Sequence, residues 1–268
     1  MRIFASDLDG TLLNKNHKFS NKSLEALKII ENLGMKFVAV SGRVYESIRY
    51  LTDSVGIKSC IIANNGALII DESGNEIYRK PISKESLKQL IKLSRKYNLD
   101  YQLYDKDTYY SDKFVFDRVK HLHVSDDIYQ VNFCIRDDID DFAIDNVSVL
   151  KFFMFVDVSK CQEFIEEVGS IDGVRLTVSG ARNIDITHKD VNKGNGLEIL
   201  SKYLDIPMGE FISIGDYDND FEMLDKSGYG IAMGNAVEKL KQIADYVTLT
   251  NDEEGFYHAV IKIKGDLC

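Results

Sequence analysis

The sequence is short of several things, and each shortage removes a class of protein. No uninterrupted apolar run reaches about 18 residues, the length a membrane-crossing helix needs. Only two prolines occur, Pro81 and Pro207, and there is no low-complexity tract or internal repeat. The four cysteines, Cys60, Cys134, Cys161 and Cys268, show no Cys-x-x-Cys spacing, so buried or incidental thiols are expected rather than disulfides or zinc. Positive charge is scarce. The 33 Lys and Arg against 43 Asp and Glu leave a net charge of −10, which argues against non-specific nucleic-acid binding. Both glycine-rich nucleotide loops, Gly-x-Gly-x-x-Gly and Gly-x-x-x-x-Gly-Lys-Ser/Thr, are missing. The first residues lack the basic and apolar stretches of a secretion signal, so a cytoplasmic protein is expected.

What is present is a repeating texture over 268 residues, room for one large domain or two modest ones. Ile3-Phe4-Ala5 reads as a buried strand running into Asp7-Leu8-Asp9-Gly10-Thr11, with Gly10-Thr11 as the turn that ends it. Residues 20–34 read as a helix, with Ser20 as N-cap, Leu24, Leu27, Ile30 and Leu33 on one face, and Gly34 as the stop. An apolar run at 37–40 ends in Ser41-Gly42-Arg43. A helix carrying Val44, Ile48, Leu51 and Val55 follows, and a strand at 60–63 ends in Asn64-Asn65-Gly66. This order predicts a parallel sheet with crossover helices.

Near residue 67 the texture changes to a hairpin, a helix over 83–97, and aromatic-rich stretches at 101–104, 108–110, 128–135 and 150–156. A helix over 161–168 and strands at 174–178 and 183–187 follow, and the alternation predicts an antiparallel sheet with one covered face. The first texture resumes at Lys193. A strand at 211–214 runs into Gly215-Asp216-Tyr217-Asp218-Asn219-Asp220, and further strands at 229–232 and 246–249 alternate with helices. The expected architecture is α/β: a Rossmann-like parallel-sheet core formed by 1–80 and 188–268, with an α+β cap domain, 81–187, inserted between Lys80-Pro81 and His188-Lys189.

Ligands of open parallel sheets bind beyond the carboxyl ends of the strands, where the polar clusters fall. On a strand, residues i and i+2 point the same way, so Asp7 and Asp9 would repel each other without a cation or a proton between them. The pair can also be read as loop carboxylates capping the next helix. Bland readings stand for the other clusters too: Ser41, Asn219 and Asp220 as helix caps, Lys193 as a surface lysine, Arg43 as an ion-pair partner, and Asn64-Asn65-Gly66 as a turn. The tyrosines of 81–187 read as core or sheet surface, and His121, His123 and His188 are spaced unlike a metal site. Taken together, the carboxylates, a hydroxyl and backbone amides at a helix start, an amide and an ammonium form an inventory for a phosphoryl group with Mg²⁺. With no nucleotide loop to supply the phosphate, a carboxylate nucleophile fits: it forms an acyl phosphate, and a second carboxylate shuttles the proton.

The succession Asp7-Leu8-Asp9-Gly10-Thr11, Ser41-Gly42-Arg43, Val191-Asn192-Lys193-Gly194 and Gly215-Asp216-x-x-Asn219-Asp220 resembles the haloacid dehalogenase superfamily, and more narrowly its Cof-type phosphatases with a large α/β cap. The resemblance covers essentially the whole chain. It implies Asp7 as nucleophile and Mg²⁺ ligand, Asp9 as general acid/base and main-chain ligand, and Asp216 as third ligand. It also implies Ser41, Gly42, Lys193 and Asn219 as phosphate holders, with Asp220 supporting the metal from behind. The implied function is Mg²⁺-dependent hydrolysis of small phosphorylated metabolites, sugar phosphates or phosphorylated cofactors, through an aspartyl-phosphate, with no nucleic-acid or membrane partner. A phosphomutase of the same superfamily and a non-turnover phosphoaspartate signalling or binding module are the alternatives. Asp185 and His188 stand where relatives usually show Glu and Pro, which bears on substrate preference.

Overall fold

The computed structural model describes residues 2–123, 132–180 and 182–267, so Cys268 and the first half of the strand expected over 128–135 lie outside it. The chain opens with β1 (Ile3–Ser6), α1 (Asn21–Asn32), β2 (Lys36–Val40), α2 (Tyr45–Ser54) and β3 (Cys60–Ala63), followed by the hairpin β4 (Leu68–Ile70) and β5 (Glu76–Arg79). A middle section holds α3 (Lys84–Lys96), β6 (Gln102–Tyr104), β7 (Thr108–Ser111), α4 (Lys113–His123), β8 (Asn132–Ile135) and α5 (Ile139–Asn146). It continues through β9 (Lys151–Phe155), α6 (Gln162–Val168), β10 (Val174–Gly180) and β11 (Asn183–His188). The chain closes with α7 (Lys193–Leu204), β12 (Phe211–Gly215), α8 (Phe221–Lys226), β13 (Tyr229–Ala232), α9 (Glu238–Ile243), β14 (Tyr246–Val247) and α10 (Gly255–Leu267).

Two sheets result. The first runs β14-β13-β12-β1-β2-β3-β4-β5, parallel from β14 to β3, with the β4–β5 hairpin added antiparallel at its edge. β1 and β12 are buried throughout, which suits their unbroken apolar runs. The helices follow the local signals. Ser20 Oγ caps α1 by accepting the Ser23 N–H at 2.9 Å, and Ala26, Leu27 and Ile30 face inward. From β1 the chain steps outward through β2 and β3, whereas from β12 it steps outward the other way. The order of strands therefore reverses between β1 and β12, the point where open sheets leave a crevice.

The second sheet runs β10-β11-β9-β6-β7-β8. α3, α5 and α6 cover one face, packing Leu87, Ala143 and Phe164 against Phe152, Met154 and Ile184. The expectation of a wholly antiparallel sheet is corrected here: β7 and β8 pair in parallel. The cause is α4, which the aromatic-rich text of 108–135 hid. A crossover helix between two strands permits parallel pairing, where a tight turn permits only antiparallel. α5 is likewise an addition, and the last strand covers only Tyr246–Val247 of the expected 246–249. Cys60 and Cys161 are buried free thiols and Cys134 a half-buried one. Among the described residues no helix is long and apolar enough to cross a membrane.

Candidate active site

Asp7 follows the last residue of β1, and Asp216 follows the last residue of β12. The register pairs Ser6 with Ile214, and the Asp7 N–H donates to the Ile214 carbonyl at 3.0 Å, so the crevice holds both side chains. Lys193 is the first residue of α7, whose N-cap Asn192 accepts the Asn195 N–H at 2.7 Å. Its side chain is fully buried, with Nζ 2.6 Å from Asp7 Oδ1 and 2.6 Å from Asp220 Oδ1. A surface role for Lys193 is thereby removed. Carboxylate oxygens of Asp7, Asp216 and Asp220 all lie within 4.8 Å of one another.

The three carboxylates are not equivalent. Asp220 accepts Lys193 through Oδ1, and through Oδ2 the backbone N–H groups of Asp216 (2.9 Å) and Tyr217 (3.0 Å). Both its oxygens are thus committed to holding the loop and the lysine. Asp216 accepts Thr11 Oγ1 at 3.1 Å and Asn235 Nδ2 at 3.3 Å. Asp7 Oδ2 has no donor among the described residues, and only Oδ1 is taken by Lys193. Burial pushes Asp7 up to about 7, opposed by Lys193 and assisted by Asp220 and Asp9. Burial first, then Asp7 and Asp220, push Asp216 up to about 8. Burial works against the Lys193 ammonium, yet Asp220 and Asp7 hold it above its usual range. When ionised, three carboxylates against one ammonium leave two negative charges in a buried place. That donor set, hard oxygens with a deficit of two positive charges, fits one divalent cation.

Asp9 is not one of these three carboxylates and has partners of its own. β1 stops at Ser6, and the chain turns through Gly10, whose φ is +80°. The placing of Asp7 and Asp9 on one strand is corrected accordingly, while the repulsion expected between them is present, the Asp9 charge being among those that raise Asp7. The Asp9 carboxylate accepts Arg43 Nε at 2.7 Å and Nη2 at 2.5 Å, and lies 2.7 Å from His17 Nδ1. Burial would raise its pKa, but Arg43 and His17 hold it well below the usual carboxylate range. The structure pairs Arg43 with an acidic neighbour, as its ion-pair reading expects.

Ser41 and Gly42 lie just beyond β2. Ser41 Oγ is buried and accepts the Arg43 N–H at 3.2 Å, while the Gly42 carbonyl accepts Lys151 Nζ at 2.6 Å. Asn219 donates through Nδ2 to Asn65 Oδ1 at 3.2 Å, and the Asn65 N–H donates to the Ser41 carbonyl at 3.0 Å. Asn64 and Asn65 both have left-handed φ, 49° and 58°, consistent with a turn. Ser41, Gly42 and Asn219 are thus gathered around Asn65, whereas Asp7, Asp216, Asp220 and Lys193 touch directly or through shared partners. Sequence reasoning assigned no role to Thr11, His17, Asn235 or Lys151. Thr11 lay inside a motif already singled out, and Asn235 follows β13 as the other polar clusters follow their strands.

Comparison with known proteins agrees with this geometry. The family model for haloacid dehalogenase-like hydrolases matches residues 4–260. Phosphatase YwpJ of Bacillus subtilis is 30% identical, over 96% of this chain and 98% of its own. The 5-amino-6-(5-phospho-D-ribitylamino)uracil phosphatase YcsE of the same organism is 27% identical, over 97% and 94%. Among solved structures, a haloacid dehalogenase-like hydrolase from B. subtilis superposes with a TM-score of 0.86 at 27% identity, over 97% of this chain and 99% of that one. With its two-sheet α/β fold and an acidic cluster at the strand-order reversal, the chain belongs to the haloacid dehalogenase-like hydrolase family.

Proposed function

We propose that this hydrolase is a Mg²⁺-dependent phosphatase of small phosphorylated metabolites, sugar phosphates or phosphorylated cofactors, working through an aspartyl-phosphate on Asp7. The observation that carries the reading is the Lys193 ammonium seated between Asp7 and Asp220, with Asp216 in reach and Asp7 Oδ2 without a donor among the described residues. The phosphatase names borne by relatives that match 96% and 97% of the chain support it. In this reading Asp9 gives up its Arg43 contacts and takes a proton when the ester binds. Asp7 Oδ2 attacks phosphorus, the bond from phosphorus to the leaving oxygen breaks, and the proton of Asp9 goes to that oxygen. Arg43 stabilises the Asp9 carboxylate left behind. Asp9 then takes a proton from water as the water attacks phosphorus, and the bond to Asp7 breaks to give phosphate and a free carboxylate. Asp7, Asp216 and the main-chain carbonyl of Asp9 would hold Mg²⁺, which supplies the charge that offsets the clustered carboxylates and the phosphoryl oxygens. Ser41, Gly42, Lys193 and Asn219 would hold the phosphoryl oxygens.

Residues 81–187 are read as a cap over a core of 1–80 and 188–268, since β6 to β11 form a sheet of their own. The test is a phosphate-release screen across a panel of phosphorylated metabolites with Mg²⁺. Release should vanish in EDTA and in Asp7→Asn; sustained release by Asp7→Asn would refute the nucleophile assignment. An isomerised phosphate ester without free phosphate would point to a mutase.

A further inference from the structure

Lys151 is a buried cation, 4% exposed, that none of these roles uses. The alternation of β9 puts Lys151, Phe153 and Phe155 on the face opposite Phe152 and Met154, which belong to the core under α3 and α6. Tyr104, paired with Lys151 across β6, and Phe153 bring their rings to 4.4 and 5.3 Å from the ammonium. Nζ donates to the Gly42 carbonyl at 2.6 Å and stands 3.1 Å from Asp185 Oδ1. Asp185, on β11 and 2% exposed, accepts Asn65 Nδ2 through its other oxygen at 2.8 Å. Two opposite charges of the six-stranded sheet thus reach the two turns that follow β2 and β3 of the eight-stranded one.

The contact to Gly42 acts on the hydroxyl of Ser41. The Gly42 carbonyl and the Arg43 N–H belong to one planar peptide unit. Lys151 holds the oxygen end of that unit, and the nitrogen end donates to Ser41 Oγ at 3.2 Å. Asp185 does the same for Asn65, whose Oδ1 receives Asn219 and whose N–H holds the Ser41 carbonyl. Apolar packing would serve stability as well as a buried ion pair does, so the value of this pair lies in what it orients. We infer that Lys151 and Asp185 are positioning residues that set the phosphate-holding turns, so that phosphate affinity depends on the second sheet's grip on the first. The inference rests on the reading of Ser41, Gly42 and Asn219 as phosphate holders.

A second ion pair supplies the control. Arg175 of β10 pairs with Glu222 of α8, joining the same two parts of the molecule without touching either turn. The test is calorimetric titration with inorganic phosphate in MgCl₂, on the full chain and well below each variant's melting temperature. The double variant Lys151→Met with Asp185→Asn, which leaves no lone buried charge, should bind phosphate about tenfold or more weakly, the usual effect of a supporting partner. Asn65→Gly suits a left-handed backbone and cuts the Asp185 link; it should weaken phosphate in the same sense if the first variant fails to fold. Arg175→Met with Glu222→Gln should lower the melting temperature and leave phosphate affinity within about twofold. Equal losses in both double variants, or wild-type affinity without Lys151 and Asp185, would overturn the inference. A wild type that binds phosphate but releases none from any ester would sink the phosphatase reading and leave this one standing.

Discussion

The Arg43 guanidinium grips the Asp9 carboxylate with two nitrogens, Nε at 2.7 Å and Nη2 at 2.5 Å. The side chain of Arg43 is 11% exposed and that of Asp9 37%, so solvent screens the pair only in part. Asp9 lies below its ordinary range when folded, despite opposing burial, so the pair adds stability above the unfolded-state value near 3.9. That stability is lost as pH falls towards the folded value. Arg43→Ala should therefore cost about 1 kcal/mol at pH 7, the upper end for a partly exposed pair. The gap to wild type should narrow below about pH 4. Urea unfolding at pH 7 and at pH 3.5 reads both, and a gap that widens in acid would contradict the pairing.

Asp7 and Asp216 shift the other way, burial pushing them up to about 7 and about 8. A raised carboxylate favours the folded state most below its unfolded value, and that advantage fades as pH rises through the folded one. Without a divalent cation, the protein should lose stability between about pH 5 and pH 8 from this site. A cation competes with the same protons. The rise in melting temperature on adding Mg²⁺ should be small at pH 5.5 and larger at pH 8, measured against EDTA. Equal gains at the two pH values would speak against Asp7 and Asp216 as the ligands.

Lys193 is fully buried with a carboxylate on either side. Lys193→Met keeps the volume and removes the charge, leaving Asp7 and Asp220 buried together. Removing one partner of such a cluster costs about 3–5 kcal/mol. Urea unfolding at pH 7 in EDTA should show that loss, and phosphate release should disappear with it. A variant as stable as wild type would mean the three groups are not in contact.

Gly10 has a φ of +80°, and a Cβ there would lie 2.4 Å from Asp216 Oδ2. Gly10→Ala meets a left-handed penalty of about 1–2 kcal/mol. It must also push the Asp216 carboxylate aside. Mg²⁺ affinity should fall about tenfold or more, as for other losses of ligand orientation. Thermal melts and Mg²⁺ titration separate the two effects, and unchanged Mg²⁺ affinity would remove Asp216 from the ligand set.

The strand ends were legible because a buried parallel strand is an unbroken apolar run, so the first polar residues after 3–5, 37–40 and 211–214 announce themselves. α4 and α5 were not. Their buried stripes are as narrow as Val115 with Val119 and Ile139 with Ala143, and aromatic neighbours gave the text a strand-like look. Missing α4 concealed the parallel pairing of β7 with β8. Lys151 reads as an ordinary strand residue and Asp185 only as a departure from the family pattern, because nothing in their own surroundings says that a turn more than 100 positions away is their partner.

Composition and local pattern by themselves determined the chemistry available to this protein: several carboxylates, a lysine and a hydroxyl at the ends of buried strands, with no nucleotide loop. Tertiary structure decided the pairings. It sent Asp9 to Arg43 and His17, and gathered Asp7, Asp216, Asp220 and Lys193 into one cluster. The reason is one of range. The period of a strand or helix is written in neighbouring residues, whereas a carboxylate's partner depends on which strands lie side by side, here β12 against β1 and β1 against β2.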